Sequence, residues 1–237
     1  MPQHGHSARF RRIAIIALLL TFAVAADALA HGVAAGDKGY IQQTFGTRII
    51  PFIYLGAKHM VTGYDHLLFL LGVIFYLYKL REIGVYVTLF AIGHSTTLLL
   101  GVLTGVSVSP YIIDAIIGFS VVYKALDNMG AFKQWFGVQP NTKAATMLFG
   151  LAHGFGLATK LLDFEMDKNG LLANLVSFNV GVEIGQLLAL STILIAMSHW
   201  RRTTSFERRG YAANVAIMTA GFVLVGYHVA GYVVNRV

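Results

Sequence analysis

His59, Asp65 and His66 stand within eight residues of one another and run directly into Leu67-Leu68-Phe69-Leu70-Leu71. Two imidazoles and a carboxylate are donors that suit a divalent transition metal, or acid–base work beside one. On a straight helix at about 100° per residue, positions 59 and 66 fall within about 20° of one line, and Asp65 flanks His66 by about 100°. The apolar run that follows is long enough to enter a bilayer. An ionisable group at membrane depth costs at least about 2.5 kcal/mol on insertion scales, and such groups face a bundle interior or a wet cavity. The alternative is that these turns lie among lipid headgroups, where His and Asp are cheap.

Three later apolar segments carry polar groups of the same kind. His94 sits midway along the second segment, in Gly93-His94-Ser95-Thr96-Thr97. His153 lies in Phe149-Gly150-Leu151-Ala152-His153-Gly154-Phe155-Gly156, whose glycines let neighbouring backbones approach closely. Glu183 lies about 12 residues into its segment. Asn179, Glu183 and Gln186 fall within an arc of about 60°, with Gly181 and Gly185 on another side. A helix-to-helix hydrogen-bond clamp is the plainer reading of Glu183. Asp114 and Lys124 read as structural groups near the ends of their segment, Lys124 by snorkelling. His228, in the last segment, reads as a helix-packing residue outside the main site. Counted in from the loops, Asp65, His66, His94, His153 and Glu183 share the middle or outer half of four segments. The expected metal-ligating set is therefore His59, Asp65, His66, His94, His153 and Glu183, with Asn179 and Gln186 as supporting polar groups.

The elements that must hold these groups are membrane helices. Of the 237 residues, 56% are hydrophobic and 12% charged, and the mean hydropathy is +0.65. These values place the chain in the polytopic membrane class, as one all-α helical bundle. The net charge of +7 comes from short basic clusters between apolar runs, the pattern of loops beside anionic lipid and not of a nucleic-acid surface. No cysteine is present, so a metal must be held by nitrogen and oxygen; nickel, cobalt or zinc fits such donors better than copper(I). No phosphate-binding glycine loop, nucleophile elbow or internal repeat is found.

Arg9, Arg11 and Arg12, an apolar core from Ile13 to Ala25, and Ala28-Leu29-Ala30 form a secretory signal pattern over residues 1–30. A retained signal anchor is the alternative. Cleavage would leave His31 at the amino terminus, where its α-amino group and ring could chelate a metal together. Residues 31–48 read as a short extracytoplasmic segment, and 49–237 as a six-helix domain with spans near 51–78, 83–105, 110–128, 144–163, 171–198 and 210–234. Lys79 and Arg81, then Lys133 and Lys143, then Arg201, Arg202, Arg208 and Arg209 occupy alternate connections. The positive-inside rule then puts those connections in the cytoplasm and both mature termini outside a bacterial-type inner membrane.

Four motifs in order resemble the HupE/UreJ family of membrane proteins associated with nickel and cobalt supply. They are His59-x5-Asp65-His66 with its apolar run, His94-Ser95-Thr96-Thr97, the stretch from Phe149 to Gly156, and Phe178-Asn179-x-Gly181-Val182-Glu183-x-Gly185-Gln186. The resemblance covers about residues 50 to 230 and implies a small all-helical secondary permease for nickel or cobalt. Members beside hydrogenase genes carry a His and a Glu at the positions held here by Phe149 and Gly156, so the chain resembles the broader branch.

Two functions are compatible with these residues. One is transport of a divalent metal through the six-ligand site. The other is an intramembrane zinc hydrolase in which Asp65 or Glu183 serves as general base and Ser95 as a polarising hydroxyl. The implied partners are membrane lipid and the metal ion.

Overall fold

The computed structural model describes residues 45–162 and 167–235. The expected signal segment and His31 lie outside them. Eight helices and no strand are present among the described residues: α1 (Ile49–Thr62), α2 (Tyr64–Ile74), α3 (Leu80–Thr104), α4 (Pro110–Asn128), α5 (Ala131–Phe136), α6 (Thr142–Leu162), α7 (Leu171–Trp200) and α8 (Thr204–Val234). Four of them, α3, α6, α7 and α8, are long and apolar enough to cross a membrane. The chain is an all-helical membrane bundle.

The first expected span is not one helix. Gly63 takes an extended conformation (φ −73°, ψ 104°) between α1 and α2. Its N–H still donates to His59 O at 3.0 Å, and its own carbonyl accepts from Leu67 N at 3.0 Å. Gly63 itself therefore stays bonded on both sides of the turn. α4 begins at Pro110, with its preset φ and no N–H to satisfy. The short α5, which hydropathy did not indicate, lies between Gly130 and Gly137, both at positive φ. α8 starts at Thr204, so Arg208 and Arg209 belong to a helix and not to a loop.

Three helix pairs make the frame: α3 with α6, α1 with α7, and α4 with α8. Each crosses at glycine. A side chain at Gly154 would meet His94 O at 2.0 Å, one at Gly181 would meet Ile53 O at 2.0 Å, and one at Gly221 would meet Val122 N at 3.0 Å. Backbone cannot yield as a side chain can, so these contacts require the missing Cβ. Thr97 adds a hydroxyl bond to Leu151 O across the first pair, at 2.7 Å. α2 runs among these pairs, burying Phe69, Leu70, Val73 and Ile74.

The two ends of the bundle differ. At the basic end, Arg201 caps the carbonyls of Ile74 and Phe75 at the C-terminus of α2, where positive charge meets the helix dipole. Asn128 bridges Gly72 O and Asn214 there, at 2.8 and 2.9 Å. At the opposite end, Asp167 accepts from the Asn169 and Gly46 backbone N–H groups. Those bonds, Asn169's first, hold its carboxyl below the ordinary carboxylate value. This tie is present above the ordinary carboxylate range and is lost as pH falls through the lowered value.

The α1–α7 crossing gives a direct test. Gly181→Ala places a methyl group against the Ile53 carbonyl and is expected to cost about 1–3 kcal/mol as overpacking, read as a lower thermal midpoint in detergent. Gly226→Ala, where a Cβ meets no atom within 4 Å, is expected to leave the midpoint unchanged.

Candidate metal centre

The break at Gly63 builds the first half of the site. His59 ends α1 and Asp65 and His66 open α2, so the two imidazoles meet across a bend rather than along one helix face; their ring centroids are 5.0 Å apart. His66 Nδ1 lies 2.9 Å from Asp65 Oδ1, and both side chains are buried. With the carboxylate ionised, Nδ1 carries the proton and donates, which leaves the Nε2 lone pair for a ligand. Gly63 makes room for this pair: a Cβ there would lie 2.6 Å from His66 Nδ1 and 3.1 Å from Asp65 Oδ1. The sequence pattern Gly-x-Asp-His is thus one structural device.

The α3–α6 pair supplies the other half. Gly93, Gly150 and Gly154 bring the two backbones together; Cβ atoms there would approach Met147 O at 2.5 Å, Phe90 O at 2.4 Å and His94 O at 2.0 Å. His94 and His153 are thereby set on adjoining turns beside His66, with ring centroids 6.1 and 4.9 Å from it. His153 Nδ1 is 2.7 Å from Phe149 O, its own helix carbonyl. That bond orients His153 as Asp65 orients His66, with Nε2 turned to the interior. His153 Nε2 stands 3.9 Å from Asp65 Oδ2. His94 is fully buried, and neither of its ring nitrogens has a hydrogen-bond partner among the described residues.

Two overlapping donor groups result, His59–His66–His94 and Asp65–His66–His153, each with its ligand atoms within 4.8 Å of one another. His66 belongs to both. Imidazole nitrogen with one carboxylate oxygen suits a borderline divalent metal, and oxygen-only cations fit poorly. The cavity beside these residues has a volume of about 10 Å³ and is lined by His59, His66 and His153 together with Asp114 and Lys160. It holds one water-sized particle.

Five of the six expected ligands thus come together and one does not. Glu183 lies on the exposed face of α7 and belongs to neither donor group. The face of α7 that meets α1 is the one bearing Gly181 and Gly185, whose Cβ positions fall on Ile53 O and Ala57 O. Glu183 sits at the edge of the buried arc, on its outer side. Asn179 and Gln186 are buried, and Asn179 Nδ2 donates to Leu175 O at 3.3 Å within its own helix. Ser95 is half-buried, one position and about 100° around α3 from His94. Two groups set aside on sequence grounds lie next to the cluster: Asp114, paired with Lys160 at 2.8 Å, and His228, 3.7 Å from Asp114. Asp114 and Lys160 are 46 residues apart, and sequence spacing gave no sign of the pairing.

Orientation of His66 by Asp65 is testable without removing an imidazole. Asp65→Asn is expected to weaken binding of Ni²⁺ or Co²⁺ by about 10–100-fold, the usual effect of losing a carboxylate behind a ligating His. Gly63→Ala, which displaces the same pair, is expected to weaken it in the same direction. Isothermal titration of purified protein measures both.

A family model described as HupE / UreJ protein matches residues 35–236. No curated protein and no solved structure matches the chain. The matched stretch contains every helix described above and all the histidines of the cluster, and on that match the chain belongs to the HupE/UreJ family.

Proposed function

We propose that this chain carries a divalent transition metal, nickel or cobalt, across a membrane, with His59, Asp65, His66, His94 and His153 as its binding site. The family implies a membrane protein of the nickel and cobalt transport type. The observation that carries the reading is the pair of donor groups sharing His66, every member of which but the half-buried His59 is buried. The hydrolase reading requires space for an organic substrate beside the metal, and a cavity of about 10 Å³ gives it no support.

Uptake of Ni²⁺ or Co²⁺ into proteoliposomes is the deciding measurement. His66→Ala, which removes a ligand from both groups, is expected to lower the rate by about tenfold or more, the effect of about 1.4 kcal/mol. An unchanged rate would overturn the reading. Imidazoles must be unprotonated to ligate, so binding is expected to weaken as the pH is lowered from about 7 to about 5.

The orientation proposed is basic end inward, following the positive-inside rule. The absence of cysteine makes it easy to test. A cysteine placed at Val106 is expected to react with an impermeant maleimide from outside the cell, and one placed at Lys133 is expected to react only after lysis.

A further inference from the structure

On the side of the histidine cluster away from the basic end, three helices bring together groups that the central site does not use. Asp114 of α4 accepts a hydrogen bond from Lys160 Nζ of α6 at 2.8 Å on Oδ1. His228 Nδ1 of α8 lies 3.7 Å from Oδ2. All three side chains are largely buried, at 5%, 13% and 5% exposure for Asp114, Lys160 and His228. Asp114 and Lys160 line the same one-particle cavity as His59, His66 and His153. Gly156 lets α4 close on α6 beside them: a Cβ there would stand 2.9 Å from Ile113 Cγ2 and 3.8 Å from Asp114 Oδ1.

A buried ion pair contributes little net stability compared with apolar packing, so its placement on this cavity asks for another account. The lysine ammonium is a compact point charge on a flexible stem and can withdraw without unfolding its helix. It occupies a carboxylate oxygen that a metal cation would also seek. We propose that Asp114 and His228 form a second divalent-cation station adjoining the central histidines, and that Lys160 is its built-in competitor, a tethered cation displaced when the ion arrives. A monovalent ion gains no Coulomb advantage over an ammonium already in place, whereas a dication gains twice the attraction. The pair thereby selects for divalent charge at the approach to the site. An oxygen–nitrogen donor set fits the same borderline metals as the central cluster. The inference goes beyond the transport reading and depends on it only for the direction of travel.

Titration of the purified full-length chain with Co²⁺, followed by calorimetry and by the visible absorption of the bound ion, tests the station. Lys160→Met is expected to tighten the second binding step by about tenfold or more. Asp114→Asn is expected to abolish that step and leave binding at the histidines in place. In a His66→Ala/His153→Ala background, Lys160→Met is expected to bind one Co²⁺ and Asp114→Asn/Lys160→Met none. Retention of the second step in Asp114→Asn, or its indifference to Lys160→Met, overturns the proposal. If Lys160→Met does not fold, Lys160→Arg serves instead: its guanidinium holds the carboxylate through two bonds and is expected to weaken the second step by about tenfold, and an unchanged step overturns the proposal. Loss of binding at the histidines with the Asp114 step intact would unseat the reading of the central cluster and leave this one standing.

Discussion

A carboxylate placed deep in an apolar bundle has to be given its partners by the protein, because lipid offers none. Asp65 is fully buried, and its bond to His66 is the interaction around which the rest of the site is arranged. With the carboxylate ionised, it places the proton on Nδ1 of His66 and leaves Nε2 for the cavity. It also needs a backbone that bends. On the bent backbone a side chain at position 63 would press into the pair, and glycine leaves that space to it. Gly63 keeps its own two backbone bonds across the break, to His59 O and from Leu67 N.

The remaining imidazoles reach Asp65 and His66 only because helix backbones come unusually close. Gly154 lies against the carbonyl of His94, so the residue before it, His153, and His94 are held on facing turns by the same contact. Packing and chemistry are therefore one constraint at this crossing. A side chain at position 154 would separate the helices and the ligands together. The same logic joins α1 to α7, where Gly56, Gly181 and Gly185 seat the helix that carries His59.

Much of this was legible in the sequence because the polar groups are expensive where they stand. His59, Asp65, His66, His94 and His153 drew attention through cost, spacing and shared depth, and the structure gathers all five. Helical angles were a weaker guide. Asn179, Glu183 and Gln186 share an arc of about 60°, yet the boundary between the buried and outer faces of α7 falls within it and leaves Glu183 outside. Which arc is buried depends on where Gly181 and Gly185 dock, and that is a property of α1 as much as of α7. The Asp114–Lys160 pair was hidden for a similar reason: it joins helices whose contact no local spacing records. The bend at Gly63 was missed because hydropathy measures how apolar a run is and says nothing of whether it is straight.

The position of Gly156 ties these observations to the family. Hydrogenase-linked members, in the resemblance drawn from the sequence, carry a carboxylate there; in this chain the Cβ direction at 156 points to within 3.8 Å of Asp114 Oδ1. The Asp114 carboxylate, on α4, lies beside that position. A carboxylate on α6 would share a helix with His153, three residues away, whereas Asp114 is tied to α6 through its bond to Lys160 and the packing of α4 on α6.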